Sequence, residues 1–202
     1  MPLIVFEGID GCGKTTQADR LEARLRAAGR TVLRLREPGG TPLGEAVRAI
    51  LLDPATQAEP VAELFGYQMA RAQLCATVIR PALAAGSVVV LDRFWHSTIA
   101  YQAYGLGLDP LRVRAVIDLA IGDLRADLAL WLAVEARTAT ARRAAARGVE
   151  DRIEARGLAY LERVHTGYAA LCASGDLRRI DAAQPTDAVT AAVDSAVAAL
   201  GL

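Results

Sequence analysis

Lysine is almost absent from this chain, so the one lysine present marks a position of interest. Among 202 residues the chain has 23 basic side chains, of which Lys14 is the single lysine and the others are arginines. GTPases use an Asn-Lys-x-Asp segment to read guanine, and this chain has no such segment. A compact ammonium group is a strong point charge for phosphate. Lys14 is therefore a candidate phosphate ligand.

Other features are missing too, and each absence narrows the class of protein. Acidic and basic residues both number 23, so a general nucleic-acid-binding surface has no support from composition. The N-terminus lacks a charged segment followed by an apolar one, and no apolar run reaches membrane-spanning length. We therefore expect neither a signal peptide nor a membrane partner. Three widely spaced cysteines favour reduced thiols in a cytoplasmic protein.

Short apolar runs alternate with helical patterns along the chain. Continuous runs of this length are typical of strands buried on both faces of a parallel sheet. The predicted strands are 3–6, 32–35, 88–91, 128–132 and 177–180, and the predicted helices are 17–28, 43–52, 62–84, 110–121, 137–146, 158–174 and 186–200. We expect one α/β domain over 1–202, in three layers, with a parallel five-stranded sheet flanked by helices and ligands at the carboxyl ends of the strands.

The sequence around Lys14 predicts a phosphate loop. Gly8-Ile9-Asp10-Gly11-Cys12-Gly13-Lys14-Thr15 fits the pattern G-x-x-x-x-G-K-[ST] between a predicted strand and a predicted helix. The glycines allow backbone N–H groups to close on an anion, and the helix N-terminus adds partial positive charge. Lys14 is expected at the β- and γ-phosphates, and the Thr15 hydroxyl at Mg²⁺. Backbone N–H groups could lower the pKa of Cys12, although a small loop residue is the preferred interpretation.

Two further segments follow predicted strands at the same edge of the sheet. Strand 88–91 ends in Asp92-Arg93, an acid suited to Mg²⁺ through water and a planar fork suited to a phosphate group. Arg36-Glu37-Pro38-Gly39-Gly40-Thr41 follows strand 32–35 and predicts a turn beside the site, with Thr41 capping the next helix. A surface ion pair and a simple strand-to-helix loop are the alternative interpretations.

Two helical segments carry side chains suited to a nucleoside. Tyr67 and Arg71 are four residues apart on one helix face and could stack on and hydrogen-bond a base, although such pairs more often serve ordinary packing. Ser97-Thr98-Ile99-Ala100-Tyr101-Gln102 offers three hydroxyls and an amide for a sugar and a base edge. Taken alone, these could equally be surface polar residues.

An arginine-rich stretch surrounds Gly148, which interrupts a helical pattern. Its charged members are Arg137, Arg142, Arg143, Arg147, Asp151, Arg152 and Glu154. A mobile lid over about 137–156 would exclude water and neutralise a transferring phosphoryl group. A solvated helix face with charge partners four residues apart is the alternative.

Together these segments resemble bacterial thymidylate kinases over nearly the whole chain. The most specific are Arg36-Glu37-Pro38-Gly39-Gly40-Thr41, Asp92-Arg93-Phe94, Ser97-Thr98-Ile99-Ala100-Tyr101-Gln102 and Asp151-Arg152-Ile153-Glu154. The resemblance implies a P-loop NTPase or nucleoside-monophosphate kinase fold, transfer of phosphate from ATP to dTMP with Mg²⁺, and a homodimer. Another P-loop kinase of a nucleoside or nucleotide, and a non-catalytic nucleotide-binding regulator, remain the alternatives.

The resemblance also implies roles for individual residues, among them Tyr67 stacking on thymine, Arg93 binding the dTMP phosphate and Tyr101 crowding the 2′ position of the sugar. The implied acceptor site comprises Asp10, Glu37, Tyr67, Arg71, Arg93, Ser97, Thr98, Tyr101 and Gln102. The implied ATP site comprises Gly8, Ile9, Asp10, Gly11, Cys12, Gly13, Lys14, Thr15, Thr16, Asp181 and Gln184. The implied metal ligands are Thr15, Asp92, Asp10 and Glu154.

Two single residues depart from the pattern, and so does the lid, in which 144–146 are alanines where related lids often carry further arginines. Some thymidylate kinases have an arginine in the phosphate loop where this chain has Gly11, and the other subtype supplies its catalytic arginine from the lid. His96 replaces the aspartate that is common after Asp-Arg, with little effect expected on the chemistry. The expected catalytic residues are Lys14, Arg93, Arg143 and Arg147.

Overall fold

The fold is built on a five-stranded parallel sheet. The computed structural model describes residues 1–145 and 152–202. The strands are β1 Leu3–Glu7, β2 Val32–Arg36, β3 Val88–Asp92, β4 Leu128–Ala133 and β5 Arg178–Asp181. They lie in the order β2-β3-β1-β4-β5, with every neighbouring pair parallel. The predicted α/β class and all five predicted strands are confirmed.

The strand register brings three predicted segments to one edge of the sheet. Phe6 of β1 pairs with Asp92 of β3, and Arg36 of β2 pairs with the same aspartate from the other side. Parallel strands end at a common edge, so the segments that follow β1, β2 and β3 meet there. This edge carries the phosphate loop, the Pro-Gly-Gly turn and Asp92-Arg93.

Helices flank the sheet and follow the predicted positions closely. They are α1 Lys14–Ala27, α2 Pro42–Leu52, α3 Pro60–Leu74, α4 Arg80–Ala84, α5 Trp95–Thr98, α6 Pro110–Ile121, α7 Ala136–Ala145, α8 Leu158–Ala173 and α9 Thr186–Ala198. Helix α2 begins as predicted, because Thr41 Oγ1 accepts the Gly44 N–H at 2.9 Å and Pro42 occupies the first turn.

The helix predicted over 62–84 is interrupted. A π-helical segment, Cys75–Ile79, separates α3 from α4. Pro81 has no N–H, and in a regular α-helix its ring would meet the carbonyl of Thr77, four residues earlier. The wider π turn relieves this conflict. A second π-helical segment, Ile99–Gly105, continues α5 and carries part of the predicted acceptor site.

The core lies on both faces of the sheet. The four apolar residues of β1 and those of β3 are 0–1% exposed, as the parallel arrangement requires. Helix α1 packs against β3 and α9, and α8 packs against the π-helical segment 99–105. None of the described helices has both the length and the apolar character that a membrane crossing needs.

Candidate active site

Three glycines shape the phosphate loop. Gly8, Gly11 and Gly13 have φ angles of 136°, 87° and 97°, a region in which other residues are strained. The loop leads directly into α1, whose first residue is Lys14. The Lys14 Nζ donates to the carbonyl oxygens of Gly8 and Ile9 at 2.9 and 3.2 Å. The ammonium group is thereby held against the loop that is predicted to bind phosphate.

Gly11 packs directly against the backbone of α7. A Cβ at this position would lie 2.2 Å from the carbonyl oxygen of Ala139, well inside van der Waals contact. An arginine side chain in the loop is therefore incompatible with α7 at its present distance. The same helix carries Arg142 and Arg143 in its last turn.

Asp10 joins two cations of the site. Its Oδ1 accepts from Arg93 Nη2 at 2.7 Å and from Lys14 Nζ at 3.2 Å. Loss of hydration opposes ionisation, but these two charges hold the pKa of Asp10 well below its usual range. The ionised carboxylate links the loop after β1 to the residue that follows β3.

Arg93 adopts an uncommon backbone conformation. Its φ is 69°, which among the described residues other than glycine is the one positive value. Its Nη1 donates to Ser97 Oγ at 3.2 Å and Tyr168 OH at 3.3 Å, and its guanidinium lies 5.1 Å from the centre of the Tyr101 ring. Such a conformation persists where surrounding contacts fix it, and these contacts hold the guanidinium in place.

Glu7 organises the backbone after β3, although it is not among the residues predicted from the sequence. It is fully buried, and its carboxylate accepts from the Phe94 N–H at 2.7 Å, the Ser97 hydroxyl at 2.6 Å and the Tyr168 hydroxyl at 3.0 Å. Burial would raise the pKa of Glu7, but the neighbouring His96, whose Nδ1 lies 3.4 Å from Glu7 Oε1, and the Ser97 hydrogen bond lower it. The sequence signal for Glu7 is an acidic residue at the end of an otherwise apolar strand.

Thr15 and Asp92 form the candidate metal position. Thr15 Oγ1 lies 3.4 Å from Asp92 Oδ2, and the buried Asp92 Oδ1 has no hydrogen-bond partner in the described part of the chain. These hard oxygen donors fit Mg²⁺, which takes its remaining ligands from water and phosphate. Within residues 1–145 and 152–202, no group of three or more His, Cys, Asp or Glu side chains could hold a metal. Asp10 is a further predicted metal ligand, and its Oδ1 accepts hydrogen bonds from Arg93 and Lys14.

Arg71 is 2% exposed, and its donors are engaged by the protein itself. Its Nε donates to Glu37 Oε2 at 2.7 Å, its Nη1 to Gln68 Oε1 and Thr98 Oγ1 at 2.7 and 2.8 Å, and its Nη2 to the Phe94 carbonyl at 3.1 Å. Burial raises the pKa of Glu37 to about 7, although the Arg71 charge opposes this shift. Arg71 thus holds the side chains of Glu37, Gln68 and Thr98 in place. The sequence predicted only a contact with the base, and this positioning role is additional.

A cavity of about 500 Å³ brings most of the predicted residues together. This volume is within the usual range for a small-molecule site. The predicted residues in its lining are Asp10, Gly11, Gly13, Lys14, Thr15, Thr16, Glu37, Tyr67, Arg71, Asp92, Arg93, Ser97, Thr98, Tyr101, Gln102 and Arg143. Arg48 also lines it and was not predicted. Of the predicted residues that the structure describes, the lining excludes Gly8, Ile9, Cys12, Asp181 and Gln184. Arg147 and the side chain of Glu154 lie outside the described part of the chain.

Cys12 does not have the lowered pKa expected of a thiol in a phosphate loop. The residue is 2% exposed. Burial raises its pKa and outweighs the opposing charges of Lys14 and Arg93. The expectation of a lowered pKa is therefore wrong, and the preferred interpretation of a small loop residue agrees with the burial.

The predicted adenine segment follows β5 and lies beside α7. Asp181 Oδ1 accepts the Ala183 N–H at 3.0 Å, and its Oδ2 accepts from Gln184 Nε2 at 3.4 Å. Arg142 Nη1 donates to the Ala182 carbonyl at 2.9 Å. This contact connects the segment to the helix that places Arg143 in the wall of the cavity.

Comparisons with known proteins agree with this geometry. The family model for thymidylate kinase matches residues 6–193. The thymidylate kinase of Gloeobacter violaceus is 45% identical over 197 residues, covering 96% of this chain and 93% of that protein, and that of Solidesulfovibrio magneticus is 49% identical over 199 residues, covering 94% and 95%. The crystal structure of thymidylate kinase from Ehrlichia chaffeensis superimposes with a TM-score of 0.78 at 30% identity, over 100% of this chain and 98% of that one. The chain therefore belongs to the thymidylate kinase family.

Proposed function

We propose that this protein phosphorylates dTMP to dTDP with ATP as the phosphoryl donor. The observation that carries the proposal is the shared Asp10 carboxylate, which holds Arg93 Nη2 at 2.7 Å and Lys14 Nζ at 3.2 Å. One cation starts the helix after the phosphate loop and the other follows β3. A donor and an acceptor phosphate can therefore be neutralised side by side. Membership of the thymidylate kinase family supports the same reaction.

The transfer requires positioning and charge neutralisation more than proton chemistry. An oxygen of the dTMP phosphate forms a bond to the γ-phosphorus of ATP, and the bond from that phosphorus to the β,γ-bridging oxygen breaks, releasing ADP. The attacking phosphate is already anionic, so no strong general base is needed. Lys14 neutralises the donor phosphates and Arg93 the acceptor phosphate. Arg143 and Arg147, from the arginine-rich segment 137–156, complete the proposed set of catalytic cations.

Thr15 and Asp92 would hold Mg²⁺ at the donor phosphates. Two observations support this assignment: Asp92 Oδ1 has no hydrogen-bond partner among the described residues, and the Thr15 hydroxyl lies nearby. When bound, the ion neutralises charge on the phosphate oxygens of ATP. Asp10 and Glu154 stay predictions as further metal ligands.

Asp92→Asn is expected to weaken the dependence on Mg²⁺ without unfolding the protein. The amide has nearly the same shape but lacks the charge that a hard cation prefers. We expect the Mg²⁺ concentration for half-maximal activity to rise about tenfold or more at fixed ATP. Asp123→Asn removes an exposed acid remote from the cavity and is the matched control. An unchanged Mg²⁺ titration in Asp92→Asn would contradict the metal assignment.

The acceptor would occupy the half of the cavity opposite the phosphate loop. Tyr67 would stack on thymine, Thr98 and Gln102 would face its edge, and Tyr101 would crowd the 2′ position of the sugar. All four residues line the cavity. Asp10 would lie beside the acceptor phosphate, and Asp181 to Gln184 would lie beside adenine.

We further propose a homodimer that forms through an apolar face of α3 and α6, named here the α3–α6 face. Val61, Phe65 and Met69 follow one another at intervals of four residues on α3 and are 51%, 56% and 48% exposed. Leu111 and Leu119 on the neighbouring α6 are 81% and 88% exposed. Each of the two contacting helices thus exposes large apolar side chains, which is typical of an interface. Two copies related by a twofold axis would cover both faces at once.

Phe65→Asp is expected to convert this dimer into a monomer. A charge in the centre of an apolar interface would be desolvated without a partner. Size-exclusion chromatography with light scattering would show the mass fall from two chains to one, while Ser195→Asp, an exposed change on α9, leaves it at two. A wild-type protein that elutes as one chain would refute the dimer.

A substrate panel with ATP tests the proposed reaction directly. dTMP should be phosphorylated with the highest kcat/KM among nucleoside monophosphates and deoxynucleosides. Preference for a nucleoside or for CMP would indicate another P-loop kinase, and ATP binding without transfer would indicate a regulator. We propose a cytoplasmic location, which the three free cysteines support.

A further inference from the structure

A buried glutamate connects the acceptor half of the cavity to Arg152 and Arg156. Glu63 lies in the first turn of α3 and is 0% exposed. Its carboxylate accepts from Arg152 Nη2 at 2.6 Å, from Arg156 Nη1 and Nη2 at 3.1 and 2.5 Å, and from Gln102 Nε2 at 3.0 Å. Two guanidinium groups and an amide therefore share one buried acid.

This arrangement sets the orientation of the Gln102 amide. Burial alone would raise the pKa of Glu63, but the hydrogen bonds from Arg156 and Gln102 lower it below its usual value. An ionised carboxylate can only accept hydrogen bonds, so Gln102 has to turn its NH₂ group toward Glu63. Gln102 is 2% exposed and lines the cavity. Its carbonyl oxygen, Oε1, is then directed away from Glu63 and is the acceptor that the amide can offer to a ligand.

Thr98 supplies the complementary donor in the same wall. Its Oγ1 accepts from Arg71 Nη1 at 2.8 Å and from Gln68 Nε2 at 3.2 Å. With both acceptor positions engaged, the hydroxyl proton is what Thr98 can offer to a ligand. The wall thus combines an acceptor at Gln102 with a donor at Thr98.

We infer that Glu63 is a positioning residue that fixes the Gln102 amide so that the site accepts the N3–H of thymine and discriminates against cytosine. Thymine presents a donor at N3 beside carbonyl acceptors, whereas cytosine presents an acceptor at N3 beside an amino donor. The inference rests on the proposed placement of the base at Thr98 and Gln102. A pyrimidine with the wrong pattern would leave buried polar groups unpaired.

The test compares Glu63→Asp and Glu63→Gln with the wild-type protein, using dTMP, dUMP and dCMP as acceptors. We expect either variant to raise the KM for dTMP about tenfold or more and to reduce the dTMP/dCMP ratio of kcat/KM about tenfold or more. The KM for ATP should stay within about twofold. The dTMP/dUMP ratio should also be unchanged, because thymine and uracil share the same hydrogen-bonding edge and differ by one methyl group. If Glu63 had a purely structural role, its substitution would change the dTMP/dCMP and dTMP/dUMP ratios of kcat/KM together, or would change neither.

Glu59→Gln is the matched control, since it removes an exposed acid one turn earlier beside the same helix. Glu63→Asp keeps the charge that compensates Arg152 and Arg156, so this variant decides the question if Glu63→Gln fails to fold. A folded Glu63→Asp protein with the wild-type dTMP/dCMP ratio would overturn the inference.

Gln102→Leu separates this inference from the proposed function. If Glu63 acts through Gln102, adding Glu63→Asp to Gln102→Leu should change the dTMP/dCMP ratio no further. If Gln102→Leu changes the ratio and Glu63→Asp does not, the positioning role fails while the base placement stands. If Gln102→Leu leaves both the KM for dTMP and the ratio unchanged, the base placement itself is wrong.

Discussion

Lys14→Ala is expected to lower kcat for dTMP phosphorylation by about 10²–10³-fold or more, which is the usual cost of removing one preorganised charge from a dry site. The Lys14 side chain is 6% exposed, and its Nζ is fixed by the Gly8 and Ile9 carbonyls and by Asp10. The chain has no other lysine that could take over this position. Steady-state kinetics at saturating ATP and dTMP would measure the loss.

The fold should survive Lys14→Ala, because Asp10 keeps its contact with Arg93 and alanine is a strong helix former at the first residue of α1. Thermal unfolding followed by circular dichroism would check this. Arg20→Ala removes a positive charge from the same helix, where Arg20 pairs with Asp187, and should retain nearly full activity. Full activity in Lys14→Ala would refute the assignment of the phosphate loop to the donor.

Arg93→Ala is the second change expected to nearly abolish turnover, again by about 10²–10³-fold or more. The guanidinium is held by Asp10, Ser97 and Tyr168, so it is oriented before an acceptor phosphate arrives. Preorganisation of this kind avoids reorienting the charge during the reaction. Alanine adds no new backbone strain at φ 69°, because arginine already carries a Cβ in that conformation.

The kinetic pattern should distinguish Arg93 from Lys14. Arg93→Ala should raise the KM for dTMP as well as lower kcat, while binding of ATP measured by calorimetry changes little. Arg93→Lys keeps the charge but loses the planar fork, so an activity between those of wild type and alanine is expected. Arg93→Ala with wild-type kinetics toward dTMP would exclude this arginine from the acceptor site.

Much of the site could be predicted from the sequence because its residues follow strands. The loop that ends at Lys14 follows the apolar run of β1, Asp92-Arg93 follows that of β3, and parallel strands bring those ends together. The order of the strands did not follow from the sequence, since short apolar runs look alike whether the strand lies at the centre of the sheet, as β1 does, or at its edge, as β2 does. Cys12 shows a second kind of error in prediction from sequence. Its place in the phosphate loop suggested a lowered pKa, but the thiol is buried and burial raises the pKa.

The residues that sequence reasoning missed act over long separations in the chain. Glu63 contacts Arg152 and Arg156, which lie 89 and 93 residues away in the sequence. A contact at such a separation cannot be predicted from local residue spacing. Arg71 was predicted, but for a different role. It lies four residues after Tyr67 on the same helix, and this spacing suggests a contact with the base. Its buried partners Glu37 and Thr98 come from two other elements and become visible only in the folded chain.

The contact between Gly11 and Ala139 couples the position of Arg143, the proposed catalytic arginine of α7, to the distance between the phosphate loop and that helix. A single Gly11→Arg substitution would drive a side chain into the α7 backbone, so the loop could gain an arginine only after α7 had moved away. Once α7 had moved, Arg142 and Arg143 would no longer stand where they do. The two ways of supplying the arginine are therefore separated by at least two coordinated changes. A lineage that adopts one of them has few single-step routes to the other.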